Sequence, residues 1–163
     1  MKATGIVRRI DDLGRVVVPK EIRKVLRIRE GDPLEIYTGT NGEVILKKYS
    51  PISELGQMAE GFVESAAAVL GLPVLVSDTD HFVAADGPDQ KEYLNKEIDG
   101  ELDGIIQGKT MHQDDSRLVI PILTNGDPIG SVCILLPQNH ELKDADIKTA
   151  EFGALFLAKQ MEG

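Results

Sequence analysis

The 163-residue sequence is short of several features, and each shortage excludes something. It has a single cysteine, Cys133, so an internal disulfide or a cysteine-based zinc site is out of reach. Aromatic residues make up only 4 %, which leaves little material for an aromatic-lined pocket. No apolar run approaches the ~18–20 residues needed to span a bilayer. Met1-Lys2-Ala3-Thr4 does not begin a signal peptide, and no low-complexity tract is present. These features predict a cytoplasmic protein with no membrane partner. His81, His112 and His140 are scattered among turn-like segments, with no spacing that would gather a metal. No Ser/His/Asp constellation stands out, so no catalytic residue, metal site, cofactor or enzymatic activity is expected.

Charge is abundant and sorted by position. Residues 1–50 carry eleven Lys/Arg against seven Asp/Glu, a net of +4. Residues 51–163 carry seven against twenty, a net of −13, and the two halves give the overall −9. The sequence pI of about 4.8 averages this division away. A basic head on an acidic body suits a polyanion-binding module joined to one that the polyanion repels. The break near Ser50-Pro51 predicts two small domains: residues 1–50, a linker over 51–55, and residues 56–163.

In the head, Thr4 to Ile10 and Arg15 to Val18 read as strands flanking the turn Asp11-Asp12-Leu13-Gly14. Pro19 ends the second strand and suits the first turn of a helix, whose apolar stripe is Ile22, Val25 and Leu26. Two further runs, Leu34 to Thr38 and Glu43 to Tyr49, flank Asn41-Gly42, a hairpin signal. Fifty residues of this kind bury little apolar surface alone, which predicts an obligate dimer. Arg8, Arg9, Arg15, Arg23 and Lys24 are the candidate DNA-binding residues. Six of the eleven cations in the head are arginines, whose planar fork matches phosphate or a guanine edge. The competing reading is a solvated helix face with local pairs such as Glu21 to Lys24.

The run Thr4-Gly5-Ile6-Val7-Arg8, then Asp12-Leu13-Gly14-Arg15-Val16-Val17-Val18-Pro19, Glu21-Ile22-Arg23-Lys24 and Leu34-Glu35-Ile36-Tyr37, resembles the AbrB-type transition-state regulators. The resemblance covers nearly all of the head. It implies an intertwined swapped-hairpin β-barrel dimer that binds double-stranded DNA, with contacts on the first strand, after the Leu-Gly turn and on the helix. Those places correspond to Arg8, Arg15, Arg23 and Lys24. The family's paired helix arginines stand here as Arg23-Lys24.

In the body, the apolar stripe of residues 53–70 predicts a helix stopped by Gly71, with small residues suited to close helix packing. Strand-like runs follow at 73–77, 82–85, 118–123 and 128–136, the last two flanking Thr124-Asn125-Gly126-Asp127. Residues 90–107 read as one or two short acidic helices. A final helix starts near Asp144, taken as its N-cap, and is apolar on two faces. The excess of Phe152, Leu155 and Phe156 predicts a partner subunit. This order gives helices beside an antiparallel sheet, an α+β arrangement. It is similar to a GAF domain, which implies a small-molecule effector pocket, with Phe82, Tyr93, Met111 and Ile134 as candidate lining. Head and body together resemble AbrB-family regulators with a C-terminal GAF domain, implying a tetramer that pairs through heads and through body helices.

Three motifs are set aside. Gly104 to Thr110 has three residues between its glycines where a phosphate loop needs four. Asp78 and Asp80 start like a calcium loop, but Phe82 takes the next ligand position. Cys133 sits in an apolar strand and reads as a core thiol. The predicted function is a transcription regulator of the sporulation type, activating or repressing. The competing class is an antitoxin-like protein-interaction module on the same head.

Overall fold

The computed structural model describes residues 5–88 and 92–162; Thr4 of the first expected strand and residues 89–91 lie outside them. The chain divides into two compact units, Met1–Tyr49 and Ser50–Gly163.

In the first unit, Pro19 precedes helix α1 (Lys20–Leu26), as its fixed φ and missing N–H favour. The helix ends at Arg27, which is left-handed at φ 57°, with Lys48 Nζ donating to the Arg27 carbonyl at 3.1 Å. Strands β1 (Leu34–Thr38) and β2 (Val44–Lys48) form an antiparallel hairpin in which Ile36 pairs with Leu46. Its turn carries Asn41 and Gly42 at φ 60° and 79°, the left-handed pair that the Asn-Gly signal implies.

The two strands expected before α1 are a correction. Among the described residues, 5–10 and 15–18 form no ladder, although the turn between them closes, with Asp11 N–H donating to the Arg15 carbonyl at 2.9 Å. Neither run has a neighbouring strand to bond among the described residues, so β-branched propensity alone does not make a sheet. Among the described residues of this unit only Pro19 is buried.

In the second unit, a short helix α2 (Pro51–Glu54) leads into α3 (Gly56–Leu70). Residues 51–54, part of the expected linker, are thus helical, and Ile52 is fully buried in the core. A five-stranded antiparallel sheet follows, in the order β4 (Phe82–Asp86), β3 (Val74–Ser77), β7 (Asp127–Leu135), β6 (Arg117–Thr124), β5 (His112–Gln113). Helix α4 (Gly100–Gly108) lies between β4 and β5 in sequence, and α5 (Asp144–Met161) closes the chain.

Strand alternation sorts the core into two layers. Val74, Val76, Val132, Ile134 and Leu118 pack with Val63, Ala66, Ala150 and Leu157 of α3 and α5. Leu75, Cys133 and Val119 point the other way, toward Leu102 and Ile106 of α4. Close approach is built in at Gly87, against the Pro73 backbone, and at two further glycines. A methyl at Gly130 would overlap the Ser77 carbonyl of the adjacent strand, and one at Gly153 would overlap the Phe62 ring. The small residues of α3 divide, with Ala59, Ala66 and Ala67 buried and Gly61 and Ala68 exposed.

Asp144 is the first helical residue of α5 and not its cap. The cap position is Lys143, whose backbone N–H donates to the Asp146 carboxylate at 2.9 Å. That reaching back from the third helical position is half of a capping box.

Candidate nucleic-acid interface and body cavity

In the head, α1 places Arg23 and Lys24 on successive positions of its last turn. Together with Lys20, Arg27 and Arg29 they line a hollow of about 380 Å³. Among the described residues no carboxylate lines it, and Glu21 makes no ion pair with Lys24. Five cations around one concavity suit a polyphosphate backbone. Lys20, Arg27 and Arg29 extend the set inferred from sequence. Arg27 joins because a left-handed cap turns the chain there, a feature that a helical wheel does not carry.

Arg15 sits elsewhere, just after the tight turn. Its Nε donates to Asp11 Oδ2 at 2.8 Å, and both side chains are largely exposed, at 71 % and 39 %. Asp11 Oδ1 also accepts the N–H groups of Leu13 and Arg15, at 3.0 and 2.8 Å. The Arg15 backbone bond first, and its side chain second, hold the Asp11 carboxyl below its usual value. The turn thereby presents Arg15 at a fixed corner. Arg8 is exposed, its Nη1 directed to the Val7 carbonyl at 3.3 Å, and it edges a separate apolar hollow of about 360 Å³. That hollow is walled by Val18, Pro19, Ile22, Leu26, Leu34 and Leu46. Arg9 is exposed and makes no ion pair among the described residues. The chain therefore gathers Arg23 and Lys24 into one basic hollow, while Arg8, Arg9 and Arg15 lie outside it.

Between the sheet and the segment of residues 92–101 that leads into α4, the body holds a cavity of about 1000 Å³. Phe82 and Tyr93 line it, edge to face at 5.8 Å. Ile134 does not, because it points into the opposite layer; its strand neighbours Cys133 and Leu135 line the cavity instead. Met111 is about half exposed and is not part of the lining. At the mouth, Asp99 caps α4 by accepting the Leu102 N–H at 2.7 Å, and Arg117 donates to both Asp99 oxygens at 3.1 and 3.3 Å. Hydrogen bonding to Arg117 lowers the Asp99 pKa. Burial opposes charge on Arg117, yet its bonds with Asp99 outweigh this, and its pKa is raised. Eighteen residues separate this pair in sequence, so no local signal marked it.

Glu101, His112 and Asp114 bring ligand atoms within 4.8 Å of one another. Each could supply one atom to a cation, a juxtaposition the histidine spacing did not reveal. Asp114 is largely engaged, however. One oxygen accepts from the Ser116 and Arg117 N–H groups and the Ser116 hydroxyl, and the other faces His112 at 2.8 Å. These bonds, His112 first, hold Asp114 well below the usual carboxylate range. Burial pushes the Cys133 thiol up to about 11, which makes it a poor nucleophile. Asp78 and Asp80 form a turn in which Asp78 Oδ1 accepts the N–H groups of Asp80 and His81.

A basic head with a tight-turn arginine and a helical cation cluster, followed by an α+β body with a cavity beneath its sheet, fits a two-domain DNA-binding regulator class. Comparison with known proteins narrows this. The family described as "Stage V sporulation protein T C-terminal, transcription factor" matches residues 54–162. "Antidote-toxin recognition MazE, bacterial antitoxin" matches residues 7–54. Stage V sporulation protein T of Bacillus subtilis (strain 168) is 48 % identical over 178 aligned positions, covering 99 % of each chain. The transition state regulatory protein AbrB of the same organism is 59 % identical over 51 residues, 31 % of this chain and 52 % of that protein. The second GAF domain of DevS from Mycobacterium smegmatis superposes with a TM-score of 0.57 at 13 % identity, over 69 % of this chain and 94 % of that one. The body thus has a GAF-like fold, and the chain belongs to the stage V sporulation protein T family of transcription factors.

Proposed function

We propose that this chain is a homo-oligomeric transcription regulator that binds duplex DNA through paired heads and acts by binding rather than by catalysis, in the cytoplasm. The observation that carries the reading is the basic hollow of Lys20, Arg23, Lys24, Arg27 and Arg29, on a head whose sequence is 59 % identical to AbrB. Arg8, Arg9 and Arg15 extend the cationic surface, mixing phosphate contacts with limited base readout. Val7, Ile10, Val17, Val25 and Ile36 are each at least two-thirds exposed, an apolar load that supports pairing with a second head. The apolar hollow beside α1 gives a second chain's hairpin a seat. The acidic body keeps nonspecific binding low and joins two head pairs, so that two moderate sites act as one tight site. Its cavity accepts a small effector that biases the heads through different affinity for two states.

The match of residues 7–54 to the MazE description supports an antitoxin-like alternative for the head alone. The full-length likeness to stage V sporulation protein T favours the regulator. Arg15→Ala is the test: duplex affinity is expected to fall about 5- to 20-fold, equivalent to roughly 1–2 kcal/mol, with the circular dichroism melt unchanged. Unchanged anisotropy at matched salt would remove Arg15 from the interface.

A further inference from the structure

Three features of the body cavity bear on the charge of what it holds. Its wall is apolar and aromatic: Leu75 and Leu135 face it beside the edge-to-face pair of Phe82 and Tyr93. Aromatic faces of this kind attract cations. Among the described residues its lining is also acidic, with five carboxylates against two cations. Glu92 and Glu97 make no ion pair among the described residues. Finally, the features that would attract an anion are already occupied. The guanidinium of Arg117 is held by Asp99 at 3.1 and 3.3 Å and lies 3.7 Å from Glu101. The start of α4, where unpaired N–H groups favour negative charge, is capped by Asp99 and carries Glu101 and Asp103 in its first turn. Lys96 alone remains as a cation without a side-chain partner among the described residues.

We infer that this cavity is a site for a small organic cation, an apolar or aromatic body bearing an ammonium group, and that it discriminates against carboxylates and phosphates. The inference rests on the reading of the cavity as an effector site and names the chemical class of the effector. The apolar body lies against Leu75, Leu135 and the aromatic pair, and the ammonium meets the carboxylate rim. Discrimination arises because an anion would face the carboxylates of Glu92 and Glu97 with Arg117 already engaged.

The test uses the full chain and three probes that share one ring: phenethylamine, phenylacetate and 2-phenylethanol. Calorimetric titration gives affinity, and methyl resonances of Leu75 and Leu135 locate the probe. Phenethylamine is expected to perturb both methyls and to bind at least tenfold more tightly than phenylacetate. The Glu92→Gln/Glu97→Gln variant, altered only at exposed positions, is expected to weaken the amine at least fivefold and leave the alcohol unchanged. Equal or tighter binding of phenylacetate, or an amine affinity indifferent to that variant, would overturn the cation assignment while leaving an effector site. Failure of all three probes to perturb the two methyls would overturn the effector-site reading as well. DNA binding by the same protein is measured without probes and stands or falls separately.

Discussion

At the scale of single residues, close approach and burial decide what the chain tolerates. Gly130 lies where β7 passes the Ser77 carbonyl of β3, next to the buried Ser77–Ser131 hydroxyl pair at 2.6 Å. Gly130→Ala must push backbone against backbone, so a loss of about 2–3 kcal/mol is expected, read as a lower urea midpoint. Cys133 gives a pH signature. Its folded pKa is raised by burial from 9.0 to about 11, so between these values the unfolded chain releases a proton that the folded chain keeps. Stability therefore falls as pH rises through that window, by on the order of 2–3 kcal/mol, and levels off above it. Urea midpoints measured from pH 8 to 11 are expected to show a steeper decline for the native sequence than for Cys133→Ala; parallel declines would contradict the account. Asp99 and Asp114 act at the other end. Held low chiefly by Arg117 and His112, they stabilise the fold above about pH 4 and lose that contribution as acid protonates them.

At the scale of elements, α5 is the informative case. One side of it, Ala150, Ala154 and Leu157, is buried in the body core. Phe152 and Leu155 remain 63 % and 61 % exposed, and the Phe152 and Phe156 rings stack at 5.9 Å. Such a face supports body-to-body pairing, as the second apolar stripe in the sequence suggests. If bodies and heads both pair, as proposed, the Phe152→Asp/Phe156→Asp variant is expected to keep its fold and to scatter light as a dimer where the native chain scatters as a tetramer; an unchanged mass would place the body interface elsewhere. How far elements were legible followed from how local their causes are. Both Asn-Gly hairpins, at 41–42 and 125–126, formed as read, because left-handed turns are set by two residues. Of the strands expected at 4–10 and 15–18, the described residues 5–10 and 15–18 form no ladder with other described residues, because a ladder depends on a neighbour that local sequence does not supply. The two-residue strand β5 carried no hydrophobic run to announce it. Effector-pocket assignments split for a related reason: Phe82 lines the cavity, whereas Ile134 missed it by one step of strand alternation. Asp99 and Arg117 meet only through the fold.

At the scale of the whole molecule, the separation of charge organises the account. The basic cations stand on a unit of residues 1–49 whose described residues bury only Pro19, and the acidic excess stands on a unit with two packed core layers. In the proposed head pair, gaining stability by pairing would double the cationic surface in the same step, which would couple oligomerisation to DNA affinity. The most direct measurement is fluorescence anisotropy of promoter-derived and random duplexes titrated with the full chain across a salt series. A head pair offers two copies each of Arg8, Arg9, Arg15, Arg23 and Lys24, and each phosphate neutralised contributes about −0.9 to the slope of log affinity against log salt. A slope of about −5 or steeper, with tighter binding to the promoter duplexes, is the expected result. A slope near zero, or no binding at low salt, would contradict the DNA-regulator account and leave the basic head as a protein-recognition surface.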